Sequence, residues 1–152
     1  MHYLEKYPND SILIGGYNGV QQLNWIFSRK GGKRDDAYNV RLGGKDVHGA
    51  VVKSRDYVKH AKFVILYDFN KQITRLYTFR VKNTGEMSRE KMLETGYEAP
   101  RHDRYFCYFF DEEITLGKFD IESIIEAEKT KPGYVEGMPI YLTGKELIKF
   151  RK

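Results

Sequence analysis

Residues 63–81, FVILYDFNKQITRLYTFRV, combine two apolar runs with a short polar break between them. The runs at residues 63–68 and 73–81 are rich in β-branched and aromatic side chains, and the break FNKQ occupies residues 69–72. This pattern predicts an antiparallel hairpin. The first run is apolar without alternation, so we expect both faces of that strand to be covered and the hairpin to lie at the centre of a sheet.

The length and composition of the chain favour one β-rich domain. A chain of 152 residues can bury a sizeable core, and its 12 Tyr and 9 Phe favour strands over a helical bundle. No N-terminal apolar segment is long enough for a signal peptide or a membrane span, so we expect a cytoplasmic protein without membrane contacts. The single cysteine, Cys107, lies in an aromatic run and is expected to be a buried thiol.

The remaining elements follow from apolar runs and capping residues. Further strands are expected at residues 11–16, 23–27, 38–42, 105–110 and 138–142, which makes seven with the hairpin. Ser54, Ser88 and Asp120 are each expected to cap a short helix, the second of which ends at Gly96. Residues 143–148 are expected to form either a second hairpin arm or a short terminal segment. The sequence therefore predicts an α+β fold.

Basic residues are concentrated in the first part of the chain. The formal net charge is +5, and all of the excess lies in residues 1–62, since residues 63–152 hold equal numbers of basic and acidic residues. Residues 28–36 are expected to be a flexible basic connector, in which two glycines separate Arg29-Lys30 from Lys33-Arg34. Glycines let a backbone approach a phosphate closely, so the connector suits a polyanion. A solvated surface loop is the alternative interpretation.

The sequence contains no recognisable catalytic motif. The four histidines are isolated, and no zinc-type spacing of His or Cys is present. Residues 43–46, GGKD, lack the spacing of a phosphate-binding Walker loop. The acidic triplet at residues 111–113 is expected to be a solvated turn rather than a metal site. We therefore expect no catalytic residue, no metal and no cofactor in this chain.

The order of these elements resembles that of a DNA-binding pseudobarrel, the B3-type domain of plant transcription factors. The same fold serves as the target-recognition domain of some bacterial restriction endonucleases. The resemblance is carried by residues 38–42, by residues 63–69, and by the strand ending in FRV at residues 79–81. It is also carried by the Ser-capped segment at residues 87–100, with its GYEAP, leading into the aromatic strand at residues 105–110. Related pseudobarrels read modified bases or RNA.

This resemblance implies a mixed, mainly antiparallel, seven-stranded open pseudobarrel with two or three short helices, formed by residues 1–152 as a single domain. We also expect this domain to be the N-terminal part of a longer protein. It implies sequence-specific binding of double-stranded DNA by two arms that enter the major groove. A nuclease or motor domain would lie elsewhere on the chain or on a partner subunit. The residues implied for the N-terminal arm and its basic support are Tyr17, Asn18, Gln21, Gln22, Asn24, Trp25, Arg29, Lys30, Lys33 and Arg34. Those implied for the middle arm are Asn70, Lys71, Gln72 and Arg75.

Two other functions stay open at this point. A modified-base or RNA reader would hold a flipped base in an aromatic pocket built from residues such as Tyr17, Trp25 or Tyr38. A small metal-dependent nuclease would use carboxylates of the triplet Asp111-Glu112-Glu113. For Trp25, packing at the barrel mouth competes with base stacking.

Overall fold

The computed structural model describes residues 3–17, 25–26, 29–30, 33–34, 37–42, 61–70, 76–97, 104–134 and 136–152. The strands are β1 (Ser11–Tyr17), β2 (Arg29–Lys30), β3 (Lys33–Arg34), β4 (Ala37–Leu42), β5 (Phe63–Asp68), β6 (Tyr77–Ser88), β7 (Arg104–Glu113) and β8 (Ile140–Thr143). The helices are α1 (Arg89–Glu94), α2 (Ile121–Lys129) and α3 (Gly144–Leu147). Short 3-10 segments occupy Tyr3–Lys6 and Ile148–Phe150, and residues 25 and 26 are also helical.

One mixed sheet forms the framework of the fold. Its strand order is β4-β7-β6-β5-β1-β8, and β2 and β3 pair separately. The pair β1 and β5 is parallel, whereas the other described pairs of this sheet are antiparallel. The sheet curls into a half-barrel, which confirms the α+β class. The predicted hairpin is confirmed as β5 and β6 in the two central positions, although the described sheet has six strands rather than seven.

The central strand β5 is covered on both faces, as its unbroken apolar run predicted. All of its residues are buried. Val64 and Leu66 belong to a core cluster on one face, together with Met92 of α1. Phe63 and Ile65 belong to a second cluster, which contains the apolar side of α2. The two helices therefore pack against opposite faces of the sheet.

The capping residues predicted the starts of two helices correctly. The Ser88 hydroxyl accepts a hydrogen bond from the Lys91 N–H at 3.2 Å, and Gly96 follows α1 with a φ of +87°. The Asp120 carboxylate accepts from the Ser123 N–H at 3.1 Å and so caps α2. That hydrogen bond also lowers the pKa of Asp120. Local side-chain chemistry was sufficient here because each cap satisfies a backbone donor that the helix itself leaves unpaired.

The C-terminal segment is helical, which decides between the two expectations for residues 143–148. The Thr143 hydroxyl accepts from the Glu146 N–H at 3.2 Å, and the Glu146 carboxylate accepts from the Thr143 N–H at 3.0 Å. This reciprocal capping box starts α3. Gly144 is the first residue of the helix, and a Cβ there would collide with the carbonyl oxygen of Tyr7. The close approach of two backbones therefore excludes a side chain at this position.

Three predicted elements differ from the structure. The strand expected at residues 23–27 is wrong for Trp25 and Ile26, which are helical, because a short apolar run suits a buried helix as well as a strand. Strand β6 continues to Ser88, where it still pairs with β7. The acidic triplet continues β7 rather than forming a turn, and there the Glu112 carboxylate pairs with Arg80 at 3.2 Å. The helix expected after Ser54 lies outside the described residues.

Cys107 is a buried thiol, as predicted. Its Sγ lies 3.9 Å from Sδ of Met92 in the first core cluster. Burial raises its pKa to about 12. The thiolate needed for nucleophilic chemistry is therefore strongly disfavoured. In the part of the chain that the structure describes, no helix is long and apolar enough to cross a membrane.

Candidate nucleic-acid interface

The parallel pairing of β1 and β5 brings the starting points of the two predicted arms together. Tyr17, the last residue of β1, is in register with Asp68, the last residue of β5. The Phe69 N–H donates a hydrogen bond to the Tyr17 carbonyl oxygen at 2.9 Å, which continues the pairing past the end of β5. Because neighbouring parallel strands point the same way, β1 and β5 end at the same edge of the sheet, where both predicted arms would begin.

A local turn follows β5, at the point where the predicted middle arm would begin. Asp68 is 6% exposed, and its Oδ1 accepts a hydrogen bond from the Asn70 N–H at 2.9 Å. A side-chain acceptor two residues before the donor is an Asx turn, which redirects the chain out of the strand. Asn70 is exposed at the tip of this turn. The other residues predicted for this arm, Lys71, Gln72 and Arg75, lie outside the described residues.

Tyr17 has a packing role rather than the predicted contact with DNA. Its side chain is 1% exposed, and its ring meets that of Tyr77 edge-on at 6.2 Å between centroids. Its hydroxyl has no hydrogen-bond partner among the described residues. Burial, and then the negative charge of Asp68, raise the pKa of Tyr17. The sequence carried no signal that the ring of Tyr17 points into the core.

Trp25 also packs in the core. Its side chain is 8% exposed, and its ring meets that of Tyr97 edge-on at 4.9 Å. The indole N–H donates to the Thr95 hydroxyl at 2.9 Å, which attaches this helical segment to the end of α1. The packing interpretation of Trp25 is therefore supported over base stacking. Tyr17 and Trp25, two of the three residues considered for an aromatic base pocket, are both buried in the first core cluster.

The remaining residues predicted for the N-terminal arm, Asn18, Gln21, Gln22 and Asn24, lie outside the described residues, as does the side chain of Tyr38.

The basic connector contains a two-stranded ribbon. Strands β2 and β3 are antiparallel, with Arg29 opposite Arg34 and Lys30 opposite Lys33. A two-stranded ribbon has dimensions that fit the major groove of B-form DNA.

The strand that follows the ribbon starts away from the edge at which β1 and β5 end. Strand β4, which follows the ribbon, starts at Ala37, opposite Phe109 of β7. Phe109 in turn lies opposite Asn83 of β6. Asn83 comes after Arg80, which pairs with Phe63 at the amino end of β5. In sheet register, β4 therefore starts beyond the amino end of β5, whereas the predicted arms would begin at its carboxyl end.

The described residues of the acidic triplet do not form a metal site. Glu112 and Glu113 are exposed on β7, and Glu112 is paired with Arg80. Successive strand residues point to opposite faces, which keeps neighbouring carboxylates apart. Within the described ranges, no group of three His, Cys, Asp or Glu side chains is placed to hold a metal ion.

Sequence reasoning did not single out Asp68 as the acceptor of the turn that follows β5. An acidic residue that ends a fully apolar strand and stands two positions before Asn70 is the signal that could have indicated an Asx turn. No protein-family model, curated protein or solved structure matches this chain. Inference about function therefore depends on the geometry of the sheet edge and on the charge of the chain.

Proposed function

We propose that this chain binds double-stranded DNA with sequence specificity, as the target-recognition domain of a restriction endonuclease. Two arms, which follow β1 and β5, enter the major groove. The observation that carries the proposal is the parallel pairing of Tyr17 with Asp68, which starts both arms at one edge of the sheet. The proposal includes the finer fold, in which the half-barrel is part of a seven-stranded open pseudobarrel.

Affinity in this mechanism comes from phosphate neutralisation. The basic excess of residues 1–62 includes Arg29, Lys30, Lys33 and Arg34, whose backbone forms the ribbon. Each cation that contacts a phosphate releases a condensed counterion, so the affinity for DNA falls as the salt concentration rises. The ribbon and the arms start at separate points of the sheet, so together they contact more than one part of the duplex.

Specificity in this mechanism comes from polar side chains on the arms. Asn and Gln can form paired hydrogen bonds with adenine, and Arg can form them with guanine. Each such pair of hydrogen bonds discriminates between bases by about 1–3 kcal/mol. The readers assigned by the proposal are Asn18, Gln21, Gln22 and Asn24 on the N-terminal arm, and Asn70, Gln72 and Arg75 on the middle arm, with Lys71 on a phosphate. In this proposal the chain binds DNA without a cofactor and does not cleave it. Cleavage is carried out by a nuclease or motor domain that acts with the chain in the cytoplasm.

Selection from a pool of random duplex DNA at two salt concentrations tests the proposal. We expect the purified chain to select a defined motif that persists at the higher salt concentration. Binding without a motif that disappears with salt would reduce the interaction to non-specific electrostatics. A preference for methylated duplex or single strands among added competitors would redirect the assignment to a modified-base or RNA reader. Mg²⁺-dependent cleavage by the purified chain would establish a nuclease instead.

Paired charge variants test where the DNA lies. Arg29→Ala with Arg34→Ala removes two charges from the ribbon, and we expect the logarithmic salt slope to fall by about 2, at roughly 1 for each arginine that no longer neutralises a phosphate. Lys145→Ala with Lys149→Ala removes the same charge from exposed positions in and after α3, which follows β8 at the opposite edge of the sheet from β4, the strand that the ribbon precedes. This control is expected to keep the salt slope of the natural chain. Equal decreases in salt slope in both double variants would contradict the proposed interface.

A further inference from the structure

Phe69 occupies the point where the middle arm leaves the sheet. Its N–H donates to the Tyr17 carbonyl oxygen at 2.9 Å, and its half-buried ring packs against the second core cluster. It is followed at once by Asn70, whose N–H is held by the Asp68 carboxylate. The direction in which the middle arm starts therefore depends on how the Phe69 ring packs.

Two glycines, Gly16 and Gly137, form the surface against which Phe69 packs, which we call its seat. A Cβ on Gly16 of β1 would lie 3.2 Å from Cζ of Tyr67 and 3.3 Å from Cβ of Phe69, and a Cβ on Gly137 would lie 3.1 Å from Cε2 of Phe69. These distances are shorter than an ordinary van der Waals contact between carbon atoms. Gly137 belongs to the loop between α2 and β8, and its φ of +82° is one that side chains rarely adopt. Phe69 is thus enclosed by the backbone of the strand that leads into the N-terminal arm and by the backbone of a third segment.

We propose that Phe69 is a positioning residue that fixes the middle arm relative to the N-terminal arm, and that Gly16 and Gly137 are its seat. This inference rests on the proposed function. Recognition of bases by two arms requires a constant spacing between them, and a site that is held in its binding geometry loses less free energy on association. The loop between α2 and β8 therefore contributes to specificity through its backbone at Gly137, without contacting DNA.

Substitution of two glycines with matched backbone geometry tests the seat. Gly137→Ala brings a methyl group against the Phe69 ring, whereas Gly96→Ala has a similar φ of +87° and meets no atom within 4 Å. Both variants carry the same kind of backbone strain, so both should lose thermal stability, and Gly137→Ala should lose more because of the added contact with the ring. We expect only Gly137→Ala to lower the ratio of specific to non-specific DNA affinity, by roughly tenfold, which is the effect of removing one bidentate hydrogen-bond pair to a base.

Amide hydrogen exchange provides a readout that does not require DNA. In Gly137→Ala, the amides of Phe69 and Asn70 are expected to exchange faster than in the natural chain, because their hydrogen bonds depend on the seated ring. In Gly96→Ala they are expected to be unchanged. If Gly137→Ala does not fold, Phe69→Leu provides the second variant, since it keeps an apolar side chain and removes the ring.

The outcomes separate this inference from the proposed function. If the natural chain selects a DNA motif and a folded Gly137→Ala variant keeps the same specificity ratio and amide exchange, the seat has no positioning role. If the natural chain selects no motif, the proposed function fails, and faster exchange at Phe69 would still identify the seat as a structural element. Equal loss of specificity in Gly96→Ala and Gly137→Ala would attribute the effect to backbone strain and overturn the inference.

Discussion

Tyr17→Phe is expected to stabilise the protein, because it removes a hydroxyl that is buried without a hydrogen-bond partner in the described structure. The ring is 1% exposed and packs against Tyr77, and phenylalanine keeps these contacts. Leaving a buried polar group unpaired costs about 1–3 kcal/mol. Taking the lower bound, we expect the free energy of unfolding to rise by about 1 kcal/mol, which corresponds to roughly 2–4 °C in Tm for a chain of this size.

The pH dependence of this effect has a defined sign. Burial and the charge of Asp68 raise the pKa of Tyr17 above its ordinary value of 10.0. The folded protein therefore holds this proton more tightly than the unfolded chain does. The corresponding stability is fully present below pH 10 and is lost as the pH rises through the raised pKa. The advantage of Tyr17→Phe over the natural chain should accordingly widen in alkaline solution.

Urea denaturation followed by circular dichroism measures the change, with Tyr108→Phe as the matched control. Tyr108 is equally buried, but its hydroxyl is hydrogen-bonded to that of Tyr141 at 2.7 Å. Removing this partnered hydroxyl is expected to cost about 0.5–1.5 kcal/mol. The two substitutions should therefore shift stability in opposite directions. A loss of stability in Tyr17→Phe as large as that in Tyr108→Phe would show that the Tyr17 hydroxyl is satisfied, and the reasoning would fail.

Further predictions concern the C-terminal helix and the buried thiol. Gly144→Ala should destabilise the fold by at least about 1–3 kcal/mol in urea titrations, because a Cβ there collides with the Tyr7 carbonyl oxygen. Thr143→Ala should cost about 0.5–2 kcal/mol by removing the cap of α3. The hydrogen bond from the Thr143 backbone N–H lowers the pKa of Glu146. The stability that the Glu146 carboxylate contributes is therefore present above pH 4.5 and is lost as the pH falls through the lowered pKa. Glu146→Gln should accordingly make the free energy of unfolding less dependent on pH in acid solution. Cys107, with its pKa near 12, should react with a thiol reagent at pH 8 only at the rate of unfolding, and faster labelling of the folded protein would contradict its burial.

Much of the secondary structure could be predicted from local signals. The unbroken apolar run of β5 predicted a strand covered on both faces, and the caps at Ser88 and Asp120 placed α1 and α2. These signals work because they act over a few residues: a strand alternates its side chains between two faces, and a cap satisfies a donor within the next turn. The strand at residues 23–27 was wrong at Trp25 and Ile26, where apolar character alone does not distinguish a buried helix from a strand.

The chain's own sequence determined that it forms an α+β fold around a central β5–β6 hairpin, and that its basic charge lies in the first 62 residues. Only the tertiary structure decided that β1 lies parallel to β5, that Tyr17 and Trp25 turn into the core, and that Phe69 rests on Gly137. Strand order and side-chain burial depend on contacts between residues far apart in the chain, which a local pattern does not specify. The composition of a segment is therefore visible in the sequence, whereas the sheet edge at which a strand ends and the backbone against which a ring packs are properties of the folded sheet.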